Sequence, residues 1–186
     1  MNRICRNLAC ECLKFRTGAY VSTPYKSDAR SGKDGKPRAP LLNARTDGLR
    51  RGQFRQHLQK QRCIIPAAGF YEWREEDGKQ PYYFARKDGR PLMLAGIWAE
   101  AEYKGDKRTA FAILTDEPNA LIAPYHDRMP VALADDQLDG WLDLGRQNPL
   151  DADLLLALDA FTVRPMDRAM NSVRQKDLAA FDAEAA

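Results

Sequence analysis

Histidine is scarce in this chain, with two in 186 residues, and the four cysteines are unevenly spread. Cys5, Cys10 and Cys12 crowd into the first twelve residues, while Cys63 stands alone. A structural zinc site needs short paired spacings and a second ligand cluster further along, and none follows, so neither a metal nor another cofactor is expected. A disulfide framework would be unusual in a reducing compartment, which leaves free thiols. Long apolar runs are absent too, and the first residues mix charges with cysteines. That pattern excludes a membrane span and a signal peptide, and a cytoplasmic protein without a membrane partner is expected. Internal repeats and Gly/Ser-rich or Pro-rich spacers are also missing. The chain therefore reads as one domain over residues 1–186, long enough to bury a core.

Charge is present, and it is segregated. Residues 1–62 carry 15 Lys and Arg against 4 Asp and Glu, whereas the remainder carries 14 against 22, within a total of +3. A basic half of this kind can neutralise phosphates and steer a polyanion to one face. A solvated basic arm explains the same numbers.

Residues 1–40 show little periodicity, and "KSDARSGKDGKPRAP" (26–40) reads as a polar, Gly/Pro-punctuated loop. This part is expected to be basic and partly disordered. "LRRGQFRQHLQKQ" (49–61) brings Leu49, Phe54 and Leu58 to one side of a short helix. From Cys63 the pattern turns to strands, with a hairpin signal at Asp88–Gly89 and a second turn at "KGDK" (104–107). Helices return near "DDQLDGWLDL" and in "NPLDADLLLAL", where Asn148 is placed to cap before Pro149. The class is α+β, a sheet-rich centre with peripheral helices.

Three stretches carry chemistry. In "GFYEW" (69–73), Glu72 sits between Tyr71 and Trp73; aromatic surroundings strip hydration from a carboxylate and suit it to proton transfer near neutrality. Strand alternation offers the plainer alternative, with Glu72 facing water. In "PYHDRMP" (124–130), His126 is the residue type best suited to acid–base work, while Asp127 and Arg128 beside it can form a local ion pair at a turn. His57, on the basic helix, is expected to be merely exposed. In "PLLNAR" (40–45), Asn43 supplies both a donor and an acceptor, and Arg45 a planar fork suited to phosphate, unless the Asn simply stabilises a strand end.

The ordered blocks "PLLNAR", "RCIIPAAGFYEW", "QPYYFA", "AGIWAE", "AILTDEPN", "HDRMPVAL" and "FTVRPMDRAMNSV" together resemble the SRAP family, the SOS-response-associated peptidases or abasic-site processing proteins. The likeness covers roughly residues 40–175, with 41–175 as a family-like core. It implies a mostly antiparallel, strongly bent, barrel-like sheet that binds single-stranded DNA as a monomer. It also implies a covalent crosslink to the ring-opened abasic sugar, together with self-processing. By that resemblance Asn43 positions the reacting end of the chain, Glu72 shuttles protons, and His126 acts in opening the sugar. Arg45 and Arg128 then grip phosphates, and Thr115 makes a further DNA contact.

The opening "MNRICRNLACEC" departs from the family's Met-Cys-Gly-Arg, with Asn2 where the nucleophilic cysteine belongs. A stable thiazolidine needs a free α-amine and a thiol on one residue, and the nitrogens of Cys5, Cys10 and Cys12 lie in peptide bonds. The nucleophile is therefore left unassigned. Three activities stay open: abasic-site processing, with an AP-lyase variant through a Schiff base on the Met1 amine; non-covalent binding of single-stranded DNA; and a cysteine hydrolase built from Cys63 and His126.

Overall fold

The computed structural model describes residues 23–24, 43–49, 54–103, 106–146, 150 and 155–171. The expectations for Cys5, Cys10 and Cys12, for the loop at 26–40 and for the Asn148 cap lie outside them. In chain order the strands are β1 (Thr23–Pro24), β2 (Asn43–Arg45), β3 (Arg62–Ala67), β4 (Phe70–Arg74) and β5 (Gln80–Arg86). β6 (Leu92–Tyr103), β7 (Asp106–Asp116), β8 (Met129–Pro130), β9 (Ala132–Leu133) and β10 (Phe161–Pro165) follow.

β6 and β7 form a long antiparallel hairpin that reverses between Tyr103 and Asp106, where the sequence predicts a turn. β3 and β9 add to β6, and β8 adds to β7, all antiparallel. β1 and β2 join β7 in parallel, completing a seven-stranded sheet. Strand parity sorts its apolar residues onto two cores. Ala95, Ile97, Ala112 and Leu114 face one side, with Ala44, Leu49, Leu58 and Trp141. Leu92, Leu94, Ile65 and Ile113 face the other. Both faces are covered, which is why these strands read as nearly continuous apolar runs.

The first face is covered by α1 (Thr46–Leu49), α2 (Arg55–Lys60) and α3 (Leu138–Leu142). Of the helix expected over 49–61, the described residues show α2 together with Leu49 as the last residue of α1, and Leu49, Phe54 and Leu58 pack on one core. α3 is fixed by Trp141, whose indole N–H donates to the Cys63 carbonyl at 2.8 Å, while the buried Arg62 donates to the Trp141 carbonyl at 3.0 Å.

The second face is covered by a three-stranded antiparallel sheet, β10-β5-β4. Phe70, Phe84 and Phe161 line its inner side, and Phe70 and Phe84 stack at 5.1 Å. The α+β class with a bent, mostly antiparallel centre is observed, and the bent sheets are not closed into a barrel. Among the described residues no helix is long and apolar enough to cross a membrane.

Two sequence expectations are overturned. The apolar runs flanking Asp88–Gly89 do not pair: β5 belongs to the small sheet and β6 to the large one. Arg86 explains the difference. Its guanidinium, 4% exposed, donates to Asp88 and to Asp135 at 2.7 Å each, and Arg90 reaches the same two carboxylates at 2.8 Å. The turn thus hands the chain from one sheet to the other and is knotted to Asp135, which follows β9. The hydrogen bonds from Arg86 hold both carboxyls below their usual range. In the segment expected to be helical through residue 158, residues 155–157 are not helical. Leu155 bridges to Leu133 and the Leu156 N–H donates to the Ala132 carbonyl at 2.9 Å, so this strand edge captures the backbone.

Replacing Arg86 by Ala should lower the melting temperature by about 5 °C at neutral pH. Because both partner carboxyls have depressed pKa values, the wild-type advantage should be full at neutral pH and vanish as pH falls below the carboxylate range. An advantage of equal size at acid pH would remove the ion knot from the explanation. Gly69, just before β4, lies where an added Cβ would run into the Phe84 carbonyl and the Tyr83 ring. Gly69→Ala should therefore destabilise by about 1–3 kcal/mol in urea unfolding; a neutral effect would show that the sheet yields there.

Candidate active site

Glu72 lies on β4 two residues from Phe70, and side chains two apart share a strand face. It therefore points into the seam between the sheets, opposite Tyr82 in register, and is only 15% exposed. Tyr82 packs against Tyr125 with ring centroids 4.5 Å apart, and Tyr125 meets Phe84 edge-on at 5.3 Å. The water-facing alternative for Glu72 is thereby overturned. Burial raises its pKa from 4.5 to about 7; His126 pulls it down and Asp127 pushes it up, both less strongly.

His126 is delivered by the loop after β7. Asn119 starts a turn there by accepting the Leu121 and Ile122 N–H groups on its side-chain oxygen at 3.1 and 3.0 Å. Ile122 is fully buried, and its carbonyl accepts the His126 N–H at 3.1 Å. The imidazole Nε2 lies 3.6 Å from the Glu72 carboxylate, within ion-pair reach. Nδ1 lies 3.0 Å from both the N–H and the carbonyl of Arg128. With the ring's other proton on Nδ1, that nitrogen can donate to the carbonyl whether or not Nε2 carries a proton. His126 therefore keeps an Nδ1 partner in either state, and a proton can move between it and Glu72 without orphaning the ring.

Arg128 does not pair locally with Asp127, which is 90% exposed and faces His126 Nδ1 at 3.3 Å. It reaches Asp47 at 3.2 Å instead, and Arg45 donates to the same carboxylate at 2.7 Å. Two arginines distant in sequence are thus gathered around one acid beside the Glu72–His126 pair. Asn43 shares a strand face with Arg45, and its side-chain oxygen is buried with no hydrogen-bond partner among the described residues. Thr115 stands in register with Arg45 and with Pro130, but is 6% exposed, which leaves little surface for a direct contact.

Cys63 fails as a nucleophile. Burial pushes its thiol up to about 12, the opposite of what a reactive thiolate requires, so the hydrolase reading loses its chemistry. His57 is not simply exposed: it is half-buried, with Nδ1 2.6 Å from the Gln61 side-chain oxygen. Among the described residues no group of three or more His, Cys, Asp or Glu is placed to hold a metal ion. Sequence reasoning overlooked Asp47, Tyr82 and Tyr125. An acid two residues after Arg45 and an aromatic directly before His126 were the available signals.

Fold and site together define a mixed α/β protein with a largely buried carboxylate facing a partly exposed imidazole at a seam between two sheets, flanked by cationic forks. The sequence model of the SOS response associated peptidase (SRAP) family matches residues 19–173. The chain belongs to the SRAP family. It is 33% identical over 159 residues to "Abasic site processing protein YoaM" of Bacillus subtilis, covering 82% of this chain and 70% of that protein. It is 29% identical to "Abasic site processing protein YedK" of Escherichia coli, covering 74% of this chain and 64% of the relative. A crystal structure of a protein from Bordetella bronchiseptica superposes with a TM-score of 0.65 at 28% identity, over 77% of this chain and 74% of that one. The family match begins some twenty residues ahead of the blocks that carry the resemblance by eye.

Glu72 gives a pH signature. Between about pH 4.5 and 7 the folded protein retains a proton that the unfolded chain has released, so stability falls as pH rises through this window. Glu72→Gln removes that loss. Urea unfolding should show the variant gaining on the wild type by an amount on the order of 3 kcal/mol between pH 4.5 and 8. Parallel stability curves would mean that Glu72 is hydrated.

Proposed function

We propose that this protein processes abasic sites in single-stranded DNA in the cytoplasm, with Glu72 and His126 opening the deoxyribose ring. The reading is carried by the buried Glu72 carboxyl, which can hold a proton near neutrality and faces an imidazole 3.6 Å away. Family membership and the names of the two relatives supply the substrate class.

Ring opening breaks the C1′–O4′ bond. The proton on the anomeric hydroxyl must leave while one arrives at the ring oxygen, and the product is an aldehyde. A pair that holds one mobile proton serves both transfers. Arg45 and Arg128 bind the flanking phosphates, and the Asn43 side-chain oxygen holds a donor on the attacking group. Capture of the aldehyde by an amine releases water and gives an imine; a thiol on the same residue then closes a thiazolidine, the stable crosslink. With an amine alone the imine is reversible, and β-elimination breaks the strand.

A denaturing gel of the protein with single-stranded DNA carrying one abasic site tests this. A band that survives denaturation is expected, either directly or after borohydride fixes the imine. Glu72→Gln or His126→Ala should slow its appearance by about 100-fold or more. No band under either condition, together with strand breakage no faster than in buffer, would reduce the protein to a DNA-binding module or less.

A further inference from the structure

Asp47 does something none of the roles above requires. Its carboxylate receives two hydrogen bonds from Arg45, Nε at 3.3 Å and a terminal nitrogen at 2.7 Å, and one from Arg128 at 3.2 Å. Arg45 and Asp47 lie at the junction of β2 and α1, and Arg128 lies 81 residues away in sequence, two past His126. A single anion therefore collects two guanidinium forks from separate parts of the fold, as a backbone phosphate between them would. Arg45 and Asp47 are well exposed, with side chains 60% and 56% accessible, so the contact is weak and exchangeable with an anion from solution. Arg128 is mostly covered, and its second terminal nitrogen is buried without a hydrogen-bond partner among the described residues. The cluster is accordingly undersatisfied: two cations share one carboxylate, and one donor has none.

We infer that Asp47 is a positioning residue that stands in for a DNA phosphate, keeping the Arg45 fork aligned with that of Arg128 in the free protein while competing with phosphate for both. This rests on the proposed binding of single-stranded DNA. Alignment and competition have opposite effects on affinity, and the geometry says which prevails. Arg128 is held independently, because its backbone N–H is bonded to His126 and its side chain is largely packed. Only Arg45 depends on Asp47 for its direction. Removing the charge therefore costs the alignment of one fork and frees both forks from a competing anion, so binding of any backbone phosphate improves. The improvement is indifferent to whether a base is missing. Asp47 thus suppresses binding to intact strands, where phosphate contacts supply nearly all the affinity.

The test compares wild type with Asp47→Asn, which keeps size and shape and removes the charge. Fluorescence anisotropy with an unmodified single-stranded oligonucleotide should show several-fold tighter binding by the variant at low salt. The slope of log Kd against log salt should steepen by about 0.7 for one added phosphate contact. Adding Arg45→Gln to the variant should reverse both changes, and equal melting temperatures would exclude a folding difference. Weaker or unchanged binding by Asp47→Asn, at an unchanged slope, overturns the inference. Should neither protein bind the oligonucleotide, the proposed function fails, and pyrophosphate titrated by thermal shift still decides on Asp47. Greater stabilisation of the variant than of wild type upholds the competition, and equal stabilisation refutes it.

Discussion

The candidate site depends on one constraint, the packing of the three-stranded sheet against the second face of the seven-stranded sheet. Phe70, Phe84 and Phe161 of the small sheet close on Leu92, Leu94, Ile113 and Ile122 of the large sheet and its following loop. Glu72 continues the inward face of β4 beyond Phe70, so the contact that buries the aromatics also strips water from the carboxylate. Ile122 anchors the loop that carries His126 in the same core. Acid and imidazole thus approach from different sheets, and their 3.6 Å separation is set by how the sheets pack. The ion knot of Arg86 and Arg90 with Asp88 and Asp135 fixes that packing at a second point.

The arrangement carries a stability cost at the site. A carboxyl held at about 7 opposes folding whenever it must ionise, and the buried Asn43 oxygen has no hydrogen-bond partner among the described residues to offset its lost hydration. Away from the site, Arg62 places its terminal nitrogens on the Trp141 and Asp143 carbonyls, while its Nε is buried with no hydrogen-bond partner among the described residues. Two of the undersatisfied atoms, on Asn43 and Arg128, belong to residues that the family resemblance nominates for the reacting chain end and for phosphate.

Much of the framework was legible. The apolar runs from Cys63 onward identified the strands, and the 104–107 turn marked the central hairpin. What misled was local punctuation. Asp88–Gly89 has the residues of a tight hairpin, but Asp88 spends its carboxylate on two arginines and the flanking strands join different sheets. For the site, "GFYEW", "PYHDRMP" and "PLLNAR" marked the segments, without fixing which way Glu72 pointed or whom Arg128 bonded. Asp47, Tyr82 and Tyr125 escaped notice because each also has a partner distant in the chain.

By itself, then, the sequence determined the α+β class, the segregated charge, the family and the segments that bear chemistry. These follow from composition, periodicity and local order, all properties of residues near one another along the chain. Only the tertiary structure decided that Glu72 faces inward, that it lies 3.6 Å from His126, that burial raises the pKa of Cys63 and that Arg45 and Arg128 converge on Asp47. Each of these is a matter of desolvation or of charge across space, and both are set by which sheet packs on which.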